Sequence, residues 1–118
     1  MKLIGSRAEK EMREELVNSN LALQDGSYGR LVSALKSENI FASMAYVINW
    51  IPEQGEDIYV VMASINEVVI VEVPRGEGDV LLEQVDISLY EGKCSKVQRM
   101  KIAVAQDLLL SMASKISK

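Results

Sequence analysis

The chain has no histidine among its 118 residues. The side chain that most often moves protons near neutral pH is therefore missing, and neither a Ser-His-Asp nor a Cys-His nucleophile can be assembled. Cys94 is the one cysteine, so no internal disulfide forms, and a reducing, cytoplasmic setting is expected. No apolar run approaches the roughly 18 residues that span a bilayer. The opening segment turns polar after Ile4 and has no apolar stretch of signal-peptide length. A net charge of −4 argues against a nucleic-acid partner, whose affinity comes mostly from neutralised phosphates. The most telling absence is local. Between Ile51 and Glu91, Arg75 is the single basic residue against ten acids, Glu53, Glu56, Asp57, Glu67, Glu72, Glu77, Asp79, Glu83, Asp86 and Glu91, a local charge of −9.

What is present reads as an ordinary globular chain, with 48% hydrophobic and 25% charged residues, and residues 1–118 are expected to form one domain. Outside the acidic stretch, the first fifty residues carry six charges of each sign. The last segment is basic, with Lys93, Lys96, Arg99, Lys101, Lys115 and Lys118 against Asp107. Such polarity bears on partner choice and association rate rather than on fold.

Ser6 and Glu9 have capping-box spacing, and the apolar spacing of Ala8, Met12, Leu16 and Leu23, with Val17 alongside, predicts an amphipathic helix ending near Asp25-Gly26. Leu31, Val32 and Leu35 predict a shorter helix over about 27–38. From Phe41 the pattern becomes strand-like, with Ala42, Met44, Tyr46, Ile48 and Trp50 on one parity. A turn is expected over Pro52–Asp57, then a strand over Ile58–Ala63 paired as an antiparallel hairpin with Val68–Val73. Pro74–Asp79 reads as a loop and Val80–Leu89 as a fourth strand. Val97, Met100, Val104, Leu108, Met112 and Ile116 form the stripe of a final helix over Lys93–Ile116. The order α-α-β-β-β-β-α predicts an α+β fold, an antiparallel sheet of three to four strands with helices packed mainly on one face.

Candidate chemistry is sparse. Cys94 precedes a helix, where amide dipoles favour a thiolate, but a packing cysteine is the preferred reading. Glu53, Glu56 and Asp57 do not match the alternating ligands of an EF-hand, so a solvated turn is expected and no metal. Gly76 and Gly78 lack the context of a phosphate loop, and Glu77 and Asp79 would repel phosphate. No catalytic residue and no cofactor is assigned. The segment Asn49–Asp57 sets the only tryptophan, with Ile51 and Pro52, beside three carboxylates, which suits an interface anchor with a charged rim. The alternative is that Trp50 ends its strand in the core. Partner-binding candidates are Trp50, Glu53, Glu56, Asp57, Glu72, Glu77 and Asp79.

In size, charge layout and the stretch Ala45–Tyr59, this chain resembles the immunity proteins that neutralise bacterial toxin domains, many of them basic nucleases, and that stretch is similar to small proteins of Gram-positive bacteria. The resemblance implies inhibition by occlusion, with Glu53, Glu56 and Asp57 imitating phosphate charge against a basic cleft. A dimeric secretion chaperone is the alternative, with Met44, Met62, Met100 and Met112 serving an apolar groove. A small carboxylate-dependent enzyme is the lesser one.

Overall fold

The structure, a computed structural model, describes residues 7–116, with side chains described as far as Met112. Two helices, α1 (Arg7–Gln24) and α2 (Gly29–Ser37), lead through a short 3₁₀ turn (Ala42–Met44) into four strands, β1 (Tyr46–Glu53), β2 (Glu56–Met62), β3 (Glu67–Pro74) and β4 (Leu81–Asp86). A five-residue helix α3 (Ile87–Glu91) and the long α4 (Lys96–Ile116) follow. The strands form one antiparallel meander in the order β1-β2-β3-β4. The α+β class and the order of the long elements are as the sequence predicts.

The β-branched runs of β2 and β3 alternate between two buried faces, which is why they read as nearly continuous apolar sequence. Val60, Met62 and Val68 join Tyr46 and Ile48 under α1 and α4, where Leu16, Ile102, Ala105 and Leu109 complete the first cluster. Val61, Val69 and Val71 point the other way, onto Leu31 and Leu35 of α2 and Leu23 at the end of α1. The two long helices thus share one face, and α2 covers the other. Because α1 contributes Leu16 to one cluster and Leu23 to the other, it runs past the edge of the sheet and closes both.

That passage is fixed by polar groups. The Asn20 amide donates to the carbonyls of Ala42 (3.0 Å), Ser43 (3.2 Å) and Ala45 (2.8 Å), holding the 3₁₀ turn where the periodicity predicts strand. The Val47 N–H donates to Ser19 Oγ at 3.0 Å. α2 ends in a Schellman pattern: Ile40 N–H reaches the Leu35 carbonyl and Asn39 N–H that of Lys36, with Asn39 at φ 63°.

Several expected boundaries move. β1 runs on to Glu53 and β2 starts at Glu56, so the predicted turn over Pro52–Asp57 contracts to Gln54-Gly55. Gly55 at φ 85° fits the position where a type II turn needs positive φ. The fourth strand stops at Asp86, whose carboxylate accepts the Ser88 N–H at 2.9 Å and starts α3 instead. α4 begins with a capping box in which Gln98 N–H donates to Ser95 Oγ and Ser95 N–H to Gln98 Oε1. The Ser6–Glu9 pairing falls on Ser6, outside the described residues, as does the side chain of Ile116.

The apolar stripes also rotate. On α4 the buried side chains are Ile102, Val104, Ala105 and Leu109, Leu108 is half-buried, and Val97, predicted to lie in the stripe, is 61% exposed. On α1 Val17 is 40% exposed and Ala8 is also open. Leu16→Ala should therefore destabilise the fold by about 2–5 kcal/mol in denaturant unfolding, and Leu108→Ala by clearly less, since part of its side chain is already in water.

Candidate functional site

The acidic candidates gather at the end of the sheet that carries the Gln54-Gly55 turn and the loop after Pro74. Cross-strand register places them exactly by face. Ile51 lies opposite Ile58, Ile58 opposite Glu72 and Glu72 opposite Leu81; one step outward Glu53 faces Glu56. One step inward, Ile70 faces Glu83. Glu53, Glu56, Glu72 and Glu83 therefore share one face with Ile51, Ile58 and Leu81. This is the face of α1 and α4, beyond the part those helices cover. Ile51 is 38% and Leu81 59% exposed.

Trp50 and Asp57 lie on the opposite face. Alternation from Tyr46 and Ile48 would have put Trp50 with them, but the register slips between Val47 and Asn49, and this bulge turns Trp50 over to pair with Tyr59. The indole is 57% exposed, so the core position weighed from sequence is not the one it takes. Its Nε1–H donates to Asp57 Oδ1 at 3.0 Å. Arg75 grips the same carboxylate through Nη2 (2.9 Å) and Nε (3.2 Å). The Arg75 guanidinium first, and the Trp50 indole second, hold the Asp57 carboxyl below its ordinary value of 3.8. Asp57 is thus the hinge pin of a Trp50–Asp57–Arg75 cluster rather than a free acid.

Glu77 and Asp79 sit exposed in the loop between β3 and β4, outside the strands and so on neither sheet face. Arg30 of α2 fastens that loop by donating to the carbonyls of Pro74, Gly76 (3.1 Å) and Gly78 (2.8 Å). Arg30 and Arg75 are the residues organising this end that composition does not reveal, because each acts across a long sequence gap. Glu83 was legible as an acid, but its face becomes clear only once β3 and β4 are in register.

The basic last helix does not neutralise this end. Among the described residues, its ion pairs run to α1: Lys101 with Glu15, and Asp107 with Arg13 at 2.9 Å. The only ion pair within the acidic stretch, among the described residues, is Asp57–Arg75.

Elsewhere the chemistry is subdued. The Cys94 thiol donates to the Tyr90 carbonyl at 3.2 Å, and burial pushes its pKa up, away from the thiolate. No group of three or more Asp, Glu or Cys among the described residues is placed to hold a metal, and no helix among them is long and apolar enough to cross a membrane. A groove of about 360 Å³ between α1 and β1, bounded by Tyr28, Tyr59 and Trp50, has the Glu15–Lys101 pair in its wall.

The Asp57 cluster yields a prediction. Its folded pKa lies below the unfolded value, so the stabilisation is full above 3.8 and disappears as pH falls through the lower folded value. A carboxyl NMR titration should place the Asp57 midpoint below 3.8, and Arg75→Met should raise it toward that value. An unmoved midpoint in Arg75→Met would contradict the assignment.

Compared with known proteins, the chain matches no protein-family model, no curated protein and no solved structure, and the site is read from its own geometry.

Proposed function

We propose that the chain is a non-catalytic protein-binding module that neutralises a basic, nuclease-like toxin domain, as immunity proteins do. The observation that carries this reading is a sheet built against its own electrostatics. Among the described residues no strand contains Lys or Arg, the strands hold seven carboxylates, and like charges stand directly opposite one another at Glu53–Glu56 on the α1/α4 face and at Glu67–Asp86 on the other. Such pairs each cost roughly 0.2–1 kcal/mol. A basic partner turns that repulsion into attraction, so the strain within the free chain becomes part of the driving force for the complex.

The neighbouring apolar groups fit the same role. Ile51 and Leu81 are exposed between the glutamates, and the Trp50 indole is held by Asp57, which limits the entropy lost when it is buried by a partner. Glu77 and Asp79 extend the acidic rim along the Arg30-fastened loop.

The alternatives draw less from the geometry. Met62 is fully buried and Met112 packs on the core, leaving a chaperone-like methionine groove without two of its four members. A carboxylate enzyme needs an acid lifted toward neutrality, whereas the carboxyls with shifted titration, Asp25, Asp57 and Asp86, all move down.

The test is to search the reading frames beside this gene for a basic toxin domain, co-express that domain with the chain, and follow the purified pair by stopped-flow kinetics. The chain should abolish toxicity, and rising ionic strength should slow association more than it speeds dissociation. Glu53→Lys should slow association while stabilising the free chain by about 0.2–1 kcal/mol, since it converts a repulsive cross-strand pair into an attractive one. Unchanged association in that variant would remove the acidic face from recognition.

A further inference from the structure

The two edges of the sheet are treated differently. On β1 the Val47 N–H is taken by Ser19 Oγ (3.0 Å) and the Trp50 N–H by Asn49 Oδ1 (3.0 Å). Pro52, two residues on and facing the same way, has no N–H to give. With the bulge after Val47 and α1 lying alongside, this edge is closed to an added strand.

Hydrogen-bonding direction alternates along each strand, so the outward groups at Val47 and Trp50 fix the pattern across the register to β4. Ile51 pairs inward with Ile58, Tyr59 with Val71 and Ile70 with Glu83, which turns the backbones of Leu82, Gln84 and Asp86 away from β3. The Ile87 N–H bond to the Asn66 carbonyl, on the β3 side, agrees with that alternation. β4 packs mainly against β3 and its own continuation α3. It has no proline or bulge to blunt the edge, and the charges that guard it, Glu83 and Asp86, are of one sign.

We propose that the outer edge of β4 accepts an extended segment of the partner, with lysine or arginine at alternate positions, as a fifth strand. This rests on the reading of the partner as a basic protein. Charge selects that occupant: Glu83 in the strand and Glu72 on the adjoining β3 share the α1/α4 face, where the alternate cations would lie, and Asp86 with Glu67 makes the other face acidic too. A second copy is opposed by the same charges. Antiparallel pairing about a two-fold axis sets Glu83 against Glu83 or, one register along, leaves the two on a diagonal, and like charges at those positions repel. Backbone bonds would supply affinity and the alternate side chains the specificity.

The probe is a blocked hexapeptide of alternating lysine and valine, with a glutamate–valine hexapeptide as control, added to the full chain at low salt and followed by amide hydrogen exchange. Exchange at Leu82, Gln84 and Asp86 should slow severalfold with the lysine peptide, Val47 and Trp50 should not respond, and added salt should reverse the effect. Gln84→Pro removes one outward N–H at an edge position where proline is tolerated. It should abolish the protection at Leu82 and Asp86, while Gln84→Ala retains it with the same circular dichroism spectrum. Protection that survives Gln84→Pro, equal binding of the glutamate peptide, or a concentration-dependent dimer shielding the same amides would overturn the proposal. With the toxin domain, unimpaired binding to Gln84→Pro overturns the edge and leaves the acidic-surface reading standing. Lysine-peptide pairing without toxin binding supports the edge and overturns the functional reading.

Discussion

A sheet edge presents a row of N–H and C=O groups that must be paired, covered or left to solvent, and the way α1 meets β1 determines much of this molecule. Ser19 and Asn20 are adjacent on one helix turn, and between them they bond the Val47 N–H and three carbonyls of the approach to β1. Those bonds hold the helix at the border of the sheet, so that Leu16 falls on one face and Leu23 on the other. α4 then packs beside α1 on the first face, and α2 is delivered to the second. A polar contact worth little in isolation thus decides where two apolar clusters form, because burial has magnitude but no direction of its own.

The elements were legible in the sequence to the extent that local chemistry writes them. The Val-rich runs gave β2 and β3, the spacing of Leu16 and Leu23 gave α1, and the Gly-Pro punctuation gave the order of strands. Boundaries failed where a side chain from far away intervened. Asn20 holds Ala42–Met44 in a 3₁₀ turn although the residues alternate like a strand, and Asp86 caps a helix inside a segment that reads as extended. The Ser95–Gln98 capping box was available in the sequence, and using it would have placed the start of α4 more closely than apolar spacing does.

The candidate site was legible as composition but not as arrangement. Sequence grouped Trp50 with Glu53, Glu56 and Asp57 because they are neighbours along the chain. A strand separates neighbours onto opposite faces, and the slip after Val47 changes the parity again, so that Trp50 joins Asp57 while Glu53 and Glu56 join Glu72 and Glu83. The Arg75 grip on Asp57 was equally hidden, since eighteen residues intervene. What composition did carry was the imbalance itself: among the described residues the one lysine of the last helix in an ion pair, Lys101, engages α1 rather than the sheet.

Along the strands of the α1/α4 face, the buried core and the candidate acidic surface occupy different lengths of the same sheet. Near the β2–β3 turn, Met62, Val68 and Val60 are buried under Ile102 and Leu109, and a carboxylate there would have to be desolvated. Toward the Gln54-Gly55 turn the helices no longer cover the strands, and Glu53, Glu56, Glu72 and Glu83 keep their water. On this face Glu53 and Glu56 stand opposite one another in that solvated half, where screening keeps the cost of the repulsion low. The same uncovered length keeps Ile51 and Leu81 exposed between the acids. The acids interrupt the apolar surface there, and on the proposed reading a partner of opposite sign would cover both kinds of group together.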